Sequence, residues 1–272
     1  MANEYRITRW GVVDQTTEPT TFVAYLDTVT ALETMQQMKR RTYDLLQVRE
    51  GHHLLDVGCG VGDDVRVLAQ RVGTAGRVVG VDSSKTMVAE AQKRSEGQNL
   101  PVEFVVGDAG RLEFADNTFD GCRSDRTLQH VAHPRQVLGE MIRVARSGAR
   151  IVVMDADWET LLIDAPDRMV TRKLLNFFCD GIRQGWIGRQ LRGLFLAAGL
   201  AKVEVFADTV MVTDYTQANQ LFNLQETAGQ AQAAGVVSPT EVTQWLNDLE
   251  QANQAGQFFA AVSGYFCVGH KP

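Results

Sequence analysis

The stretch His53-Leu54-Leu55-Asp56-Val57-Gly58-Cys59-Gly60-Val61-Gly62 decides how this chain is read. About twenty residues beyond its glycines comes Val78-Val79-Gly80-Val81-Asp82. A short apolar run enters closely spaced glycines, an apolar-periodic helix follows, and a second apolar run ends on a carboxylate. That is the pattern of a nucleoside-binding βαβ unit. Glycines let the backbone turn sharply and lie close to a ligand, and a carboxylate at the end of the second strand can accept both hydroxyls of a ribose.

The glycine spacing narrows the ligand. A dinucleotide site wants G-x-G-x-x-G, with a pyrophosphate on the helix N-terminus. Here the third glycine comes one residue early, at Gly62, and Asp63 and Asp64 occupy the helix start where a pyrophosphate needs positive charge. A ligand carrying an ammonium and a sulfonium is a better match for these carboxylates and for Asp56. With Asp82 in its place, the stretch resembles the first motif, (L/V)-(L/V)-D-x-G-x-G-x-G, of the class I S-adenosylmethionine-dependent methyltransferases. The resemblance implies an α/β fold: a doubly wound, Rossmann-like seven-stranded mixed sheet with helices on both faces, using S-adenosyl-L-methionine as cofactor.

The resemblance covers roughly residues 45 to 212 and the final strand, and it implies a role for each matching position. Asp56 would hold the ammonium, and Gly58, Gly60 and Gly62 would line the methionine part. Asp82 would take the ribose hydroxyls, with Ser83 and Met87 bordering the adenine. Asp108 would accept from the adenine amino group, and the Ala109 amide would face a ring nitrogen. The segment Ser124-Asp125-Arg126-Thr127-Leu128-Gln129-His130-Val131 resembles the one after the fourth strand in the ubiquinone/menaquinone-biosynthesis and natural-product branches. That segment approaches the sulfonium and the acceptor, which puts Arg126 among the cofactor contacts. The family's Pro-Gly-Gly before the fifth strand is Ser147-Gly148-Ala149 here, a departure that concerns the turn.

Composition excludes several classes. A chain of 272 residues with 44% hydrophobic content can bury a full core. A net charge of -6 and an isoelectric point near 5.4 argue against a phosphate-tracking nucleic-acid binder. The basic runs Lys39-Arg40-Arg41 and Lys93-Arg94 read as solvated helix faces. The start Met1-Ala2-Asn3-Glu4-Tyr5-Arg6 has no apolar signal region and no run is long enough to span a bilayer, so a cytoplasmic protein is expected. Cys59, Cys122, Cys179 and Cys267 are scattered and read as reduced, buried thiols. His52-His53 has no third ligand in view, so no metal site is expected.

Strand and helix patterns continue to alternate after the first unit. Val102 to Val106, Phe119 to Arg123 and Ala149 to Met154 read as strands, with Asp155-Ala156-Asp157-Trp158 ending the last of them. Ser83 or Ser84 caps one helix, Pro134 opens another and Gly199 closes a third that starts at Ile187. A strand from Lys202 toward Val212, helices over Tyr215 to Ala234 and Pro239 to Ala255, and a strand from Phe258 to Val268 complete the chain. The division expected is a lid at 1–45, a cofactor-binding core at 46–212, a helical insertion over the active site at 213–257 and the core's final strand at 258–272.

Methyl transfer asks for a nucleophile held in line, exclusion of water and, for an alcohol or an activated carbon, removal of a proton. His130 and Asp157 are the catalytic candidates, with His133 and Asp155 as alternatives for the base. Trp158 can stack on an aromatic or terpenoid acceptor or plug the core, and Phe222 with Leu221 and Leu224 can roof an apolar one. Trp10 and Tyr25 lie in the segment Tyr5 to Tyr25, read as a lid, as a helix on the sheet edge or as a homodimer contact. The function expected is methyl transfer to an O, N or C nucleophile of an apolar small molecule. The alternative is a cofactor-binding protein that catalyses a rearrangement or cyclisation, or senses the cofactor, without transfer. A nucleic-acid or protein methyltransferase is disfavoured by the lack of an N/D-P-P-Y/F motif and of a basic arm, and a nicotinamide enzyme by the glycine spacing.

Overall fold

The β–α alternation builds one seven-stranded sheet in the computed structural model, which describes residues 10–272. The strands are β1 (His53–Val57), β2 (Arg77–Asp82), β3 (Val102–Val106), β4 (Phe119–Asp125), β5 (Ala145–Ile163), β6 (Ala201–Val212) and β7 (Ala260–His270). They lie in the order β3-β2-β1-β4-β5-β7-β6. The first five in that order are parallel, and β7 runs antiparallel between β5 and β6.

Side-chain alternation sends Leu54 to one face of the sheet and Leu55 and Val57 to the other. The first face is covered by α2 (Glu33–Leu46), α3 (Asp63–Val72) and α4 (Lys85–Ser95). The second is covered by α5 (Pro134–Val144) and α7 (Ile187–Ala197) through residues spaced three and four apart: Val137, Leu138 and Met141, then Ile187, Leu191 and Phe195. Leu191 and Phe195 are fully buried, each stabilising by about 1.5–3 kcal/mol.

Several elements differ from the sequence reading. β5 does not end at Trp158: it pairs with β7 as far as Asp157, shifts register, and pairs again at Leu162 and Ile163. The long β5–β7–β6 ribbon carries a second apolar cluster with α6 (Arg168–Asp180), α8 (Tyr215–Phe222), α9 (Leu224–Ala233) and α10 (Pro239–Gln254). The reading missed α6, although Asp167 caps it by accepting from Met169 and Val170, both at 2.9 Å, and Val170, Leu174 and Phe178 recur at helical spacing. The helix read over Tyr215 to Ala234 is two helices, because Asn223 takes a left-handed conformation with φ 48° that asparagine tolerates.

The amino-terminal segment also divides. Residues Trp10–Gln15 form a 3₁₀ turn and α1 spans Thr20–Thr30, whereas α2 packs on the sheet as part of the core layer. The part of the expected lid before Trp10 lies outside the described residues, as does the amino-terminal hexapeptide. Lys39-Arg40-Arg41 is not a solvated face. Lys39 is buried and ion-paired with Asp64, and Arg41 pairs with Asp208 while stacking 5.0 Å from the Phe206 ring centroid. Arg94 of the other basic run grips Asp27 through two bonds of 2.7 and 3.0 Å. All four cysteines are free and buried. Among the described residues no helix is long and apolar enough to cross a membrane.

Candidate active site

A cavity of about 950 Å³ lies at the carboxyl ends of the parallel strands, where open α/β sheets place their ligands. One end is made largely of backbone. Gly58 has φ 77°, and a Cβ there would fall 2.0 Å from Thr127 Oγ1, so only glycine lets the loop after β4 approach the turn after β1. The Gly60 amide donates to Asp82 Oδ2 at 2.9 Å, and the Ser84 amide donates to Asp82 Oδ1 at 2.9 Å. Burial pushes the Asp82 carboxyl above its usual range, and the amides of Ser84 and Gly60 offset part of that rise. Ser83, Met87, Asp108 and Ala109 line the same end, and Asp108 accepts from the Gly110 amide at 2.8 Å.

Asp14, which the sequence reading did not single out, ties the amino-terminal turn to this end. Its carboxylate accepts from Ser84 Oγ at 2.7 Å and from the amides of Lys85 and Thr86 at 2.7 and 3.2 Å, at the start of α4. These bonds outweigh burial and hold its carboxyl below the usual range. The contact joins residues 70 apart, so no local pattern could have revealed it.

The segment after β4 runs along the middle of the cavity. Arg126 adopts φ 55° and binds Asp125 Oδ1 through Nε at 3.1 Å. The indole of Trp158 donates to Gln129 Oε1 at 2.7 Å, and Gln129 Nε2 lies 3.0 Å from His130 Nε2 and donates to the Arg126 carbonyl at 3.2 Å. Trp10 packs 6.0 Å from the His130 ring, 4.9 Å from Phe22 and 5.6 Å from Tyr25. The Tyr25 hydroxyl donates to the Leu221 carbonyl at 3.2 Å, linking α1 to α8 across the cavity. Burial and the charges of Arg126 and Arg183 push His130 down to about 3, so its ring is neutral at physiological pH.

The far lobe is apolar. Met35 and Met38 of α2, Met154 and Trp158 of β5, Phe178 of α6 and Phe222 of α8 line it. Trp158 meets Phe178 and Phe222 edge-on, with centroids 5.2 and 6.3 Å apart.

Four expected site residues stand elsewhere. Asp157 is fully buried and ion-paired with Arg189 of α7. Asp155 accepts from the amides of Leu128 at 3.0 Å and Gln129 at 3.4 Å, anchoring the loop rather than entering the cavity. Strand alternation explains both: Met154, Ala156 and Trp158 face the cavity, so Asp155 and Asp157 face away. Asp56 does not line the cavity either. Its Oδ1 accepts from Arg123 at 2.7 Å inside a buried cluster that also holds Asp64, Asp125, Lys39 and Tyr43. Gly62, with φ 78°, starts α3, and a Cβ there would meet Phe104 at 2.5 Å. Asp63, Asp64 and Asp125 line the cavity instead, each ion-paired with neighbouring lysine or arginine side chains.

Residues 49–185 match a family model described as a methyltransferase domain. The chain belongs to the class I S-adenosylmethionine-dependent methyltransferases. This methyltransferase is 42% identical over 248 residues to an uncharacterised 37.1 kDa protein in a transposon of Streptomyces fradiae, covering 90% of this chain and 70% of that one. It is 32% identical over 138 residues to a demethylmenaquinone methyltransferase of Bacillus cereus, covering 50% of this chain and 58% of that enzyme. The methyltransferase thus spans a little over half of the menaquinone enzyme's length. In fold it is similar to a Haemonchus contortus phosphoethanolamine N-methyltransferase solved with S-adenosylhomocysteine. The TM-score is 0.63 at 18% identity, with 98% of this chain and 61% of that one covered.

The backbone-lined end fits the family's cofactor, S-adenosylmethionine. The glycine turn admits a ligand where a Cβ would clash, and Asp82 and Asp108 offer acceptors.

Proposed function

We propose that this enzyme transfers the methyl group of S-adenosylmethionine, by in-line displacement, to an oxygen, nitrogen or carbon nucleophile of an apolar small molecule. The observation that carries this reading is the continuity of the cavity. A glycine-lined end and an aromatic lobe share about 950 Å³, with the segment Arg126–His130 between them. That is the upper end of the roughly 300–1,000 Å³ of small-molecule sites and leaves room for two ligands end to end. The likeness to a demethylmenaquinone methyltransferase also supports a small-molecule acceptor.

When bound, the cofactor supplies a methyl group already activated by its sulfonium. The protein's work is orientation and exclusion of water. In this reading Asp82 takes the ribose hydroxyls, Gly58 and Gly60 lie along the methionine part, and Ser83, Met87, Asp108 and the Ala109 amide border the adenine. Trp10, Phe22 and Tyr25 close over the junction of the two ligands, and Trp158 and Phe222 hold the acceptor's apolar surface. Residues 46–212 with 258–272 serve as the cofactor-binding core, and the insertion 213–257 roofs the acceptor.

Calorimetric titration with S-adenosylmethionine, S-adenosylhomocysteine and NAD in parallel tests the cofactor. Binding of the first two and not the third is expected, and binding of NAD alone overturns the reading. Mass spectrometry of turnover mixtures tests the transfer. S-adenosylhomocysteine appearing with a methylated acceptor supports it, and a rearranged acceptor with the cofactor unchanged defeats it.

A further inference from the structure

The 3₁₀ turn Trp10–Gln15 and α1 lie over the cavity as a strap. The underside of the strap is apolar. Val13 is buried against Val61 of the glycine turn and Met87 of α4, and Trp10, Phe22, Val23 and Leu26 pack on the same cluster. Leu26 Cδ1 stands 3.0 Å from the place a Cβ on Gly60 would occupy, so α1 sits directly on the glycine turn. A ligand lying between that turn and Asp82 is therefore roofed by the strap.

The strap runs into the core layer through Ala31 and Leu32, where Leu32 takes an extended ψ of 130° before α2 packs on the sheet. Among the described residues, three polar contacts fasten the rest of it. At the cofactor end Asp14 accepts from Ser84 Oγ and from the amides of Lys85 and Thr86. Those amides belong to the first turn of α4, where N–H groups have no partner within the helix and the helix dipole favours a carboxylate. Asp14 is thus a helix cap supplied by another segment. Ser84 joins this cap to the site beneath, because its hydroxyl donates to Asp14 while its amide donates to Asp82 Oδ1. At the other end of α4, Arg94 grips Asp27 of α1. At the roof, the Tyr25 hydroxyl donates to the Leu221 carbonyl. Asp14 and Asp27 are exposed and do not line the cavity, so water can replace their partners at small cost when the strap lifts.

We propose that the strap Trp10–Thr30 gates cofactor exchange and that Asp14 is its catch, a positioning residue that acts through Ser84 and the start of α4. This deepens the methyl-transfer reading and rests on it: every turnover brings S-adenosylmethionine in and lets S-adenosylhomocysteine out at the roofed end. The bonds that hold the strap down run from protein to protein, so they oppose lifting whether the site is filled or not. Loosening them raises the fraction of molecules with the strap up in both states. Entry and exit then speed up together, and their ratio, the affinity, changes little. A residue that simply contacted the cofactor would behave differently, since its loss speeds exit alone and weakens binding.

The test measures association and dissociation of S-adenosylhomocysteine by surface plasmon resonance on the full-length protein. Asp14→Ala is expected to raise both rate constants by about five- to thirtyfold, the range of a lost helix cap, with Kd within about threefold of the parent. Asp14→Asn keeps an oxygen acceptor and should hold both rates within about threefold of the parent. Asp27→Ala, at the far end of α4, should raise both by about two- to fivefold. Chymotrypsin cleavage after Phe22 and Tyr25 should quicken in Asp14→Ala by about the same factor as dissociation. Unchanged rates, a rise in dissociation alone, or equal cleavage overturns the inference, and where Asp14→Ala does not fold, Asp27→Ala decides by the same criteria. No binding of S-adenosylhomocysteine to the unaltered protein defeats the methyl-transfer reading itself, whereas binding with rates indifferent to Asp14 and Asp27 defeats only the gate.

Discussion

The two ends of the cavity are built from different materials. The cofactor end is mostly main chain, with turns after three neighbouring strands, two amides holding Asp82 and a glycine where a Cβ would strike Thr127. The apolar end is almost all side chain, contributed by α1, α2, β5, α6 and α8. A backbone site tolerates little variation in the chain that makes it but binds a constant ligand. A side-chain site can be recut by substitution without disturbing the sheet. The contrast teaches that one end of the cavity is fixed by the course of the main chain, while the other has a replaceable lining.

The sharpest challenge to that separation is the charged cluster beneath both ends. Arg123, fully buried, donates to and pairs with Asp56, Asp64 and Asp125 away from solvent. Burial pushes Asp56 up to about 6 despite Arg123, while Arg123 and Lys39 overcome burial at Asp64 and hold its carboxyl well below the usual range. Arg123→Met should cost about 3–5 kcal/mol in urea unfolding, because three carboxylates lose their shared cation. It should also weaken both ends together, and damage confined to one end would show that the ends are less coupled than the cluster implies.

Asp82→Ala is expected to weaken S-adenosylhomocysteine binding by about 1–3 kcal/mol in calorimetry, through loss of charged hydrogen bonds. Unaltered affinity would remove Asp82 from the cofactor end. Next in size is a pH effect at the junction. His130 has a folded pKa of about 3 against about 6.5 for the free side chain, so the unfolded chain takes up a proton first as pH falls. Its contribution to stability is complete above pH 6.5 and is lost between there and pH 3. Between pH 7 and 5 the parent should lose about 1–2 kcal/mol more than His130→Gln in urea titrations. Equal slopes would place His130 in contact with solvent. The smallest effect expected is for Trp158→Phe. It keeps an aromatic ring but deletes the donor to Gln129, costing about 1 kcal/mol of stability while leaving S-adenosylhomocysteine affinity in place. A loss of cofactor affinity there would erase the distinction between the two ends.

The legible parts of the site were those set within one βαβ unit. Gly58, Gly60 and Asp82 sit at the ends of adjacent parallel strands of that unit, so one crossover brings the Gly60 amide within 2.9 Å of Asp82. Asp56 sat inside the same motif, yet its carboxylate went to an arginine 67 residues away. Asp155 and Asp157 were placed on the right strand, but period-two alternation turned them to the face opposite the cavity, and no motif says which parity a strand will present. Lys39 illustrates the reverse error. A basic run on a helix is ordinarily solvated, and here α2 lies on the sheet with that lysine over Asp64. Gln129 carried no signal of its own, being one polar residue in a loop until Trp158 arrived from the next strand.

The sequence by itself determined the parallel core, the sharp glycine turn after β1, the carboxylate at the end of β2 and through them the family and the cofactor. These follow from φ/ψ restrictions and hydrophobic periodicity, which act over a few residues. Only the tertiary structure decided which acids line the cavity, what His130 packs against and what lines the apolar lobe. Arg123–Asp56, Arg189–Asp157 and Tyr25–Leu221 join residues 67, 32 and 196 positions apart. The partner of a buried charge or donor is chosen by whichever group the packed sheet brings within hydrogen-bond reach, because leaving it unpaired away from water costs more than any local preference can offset.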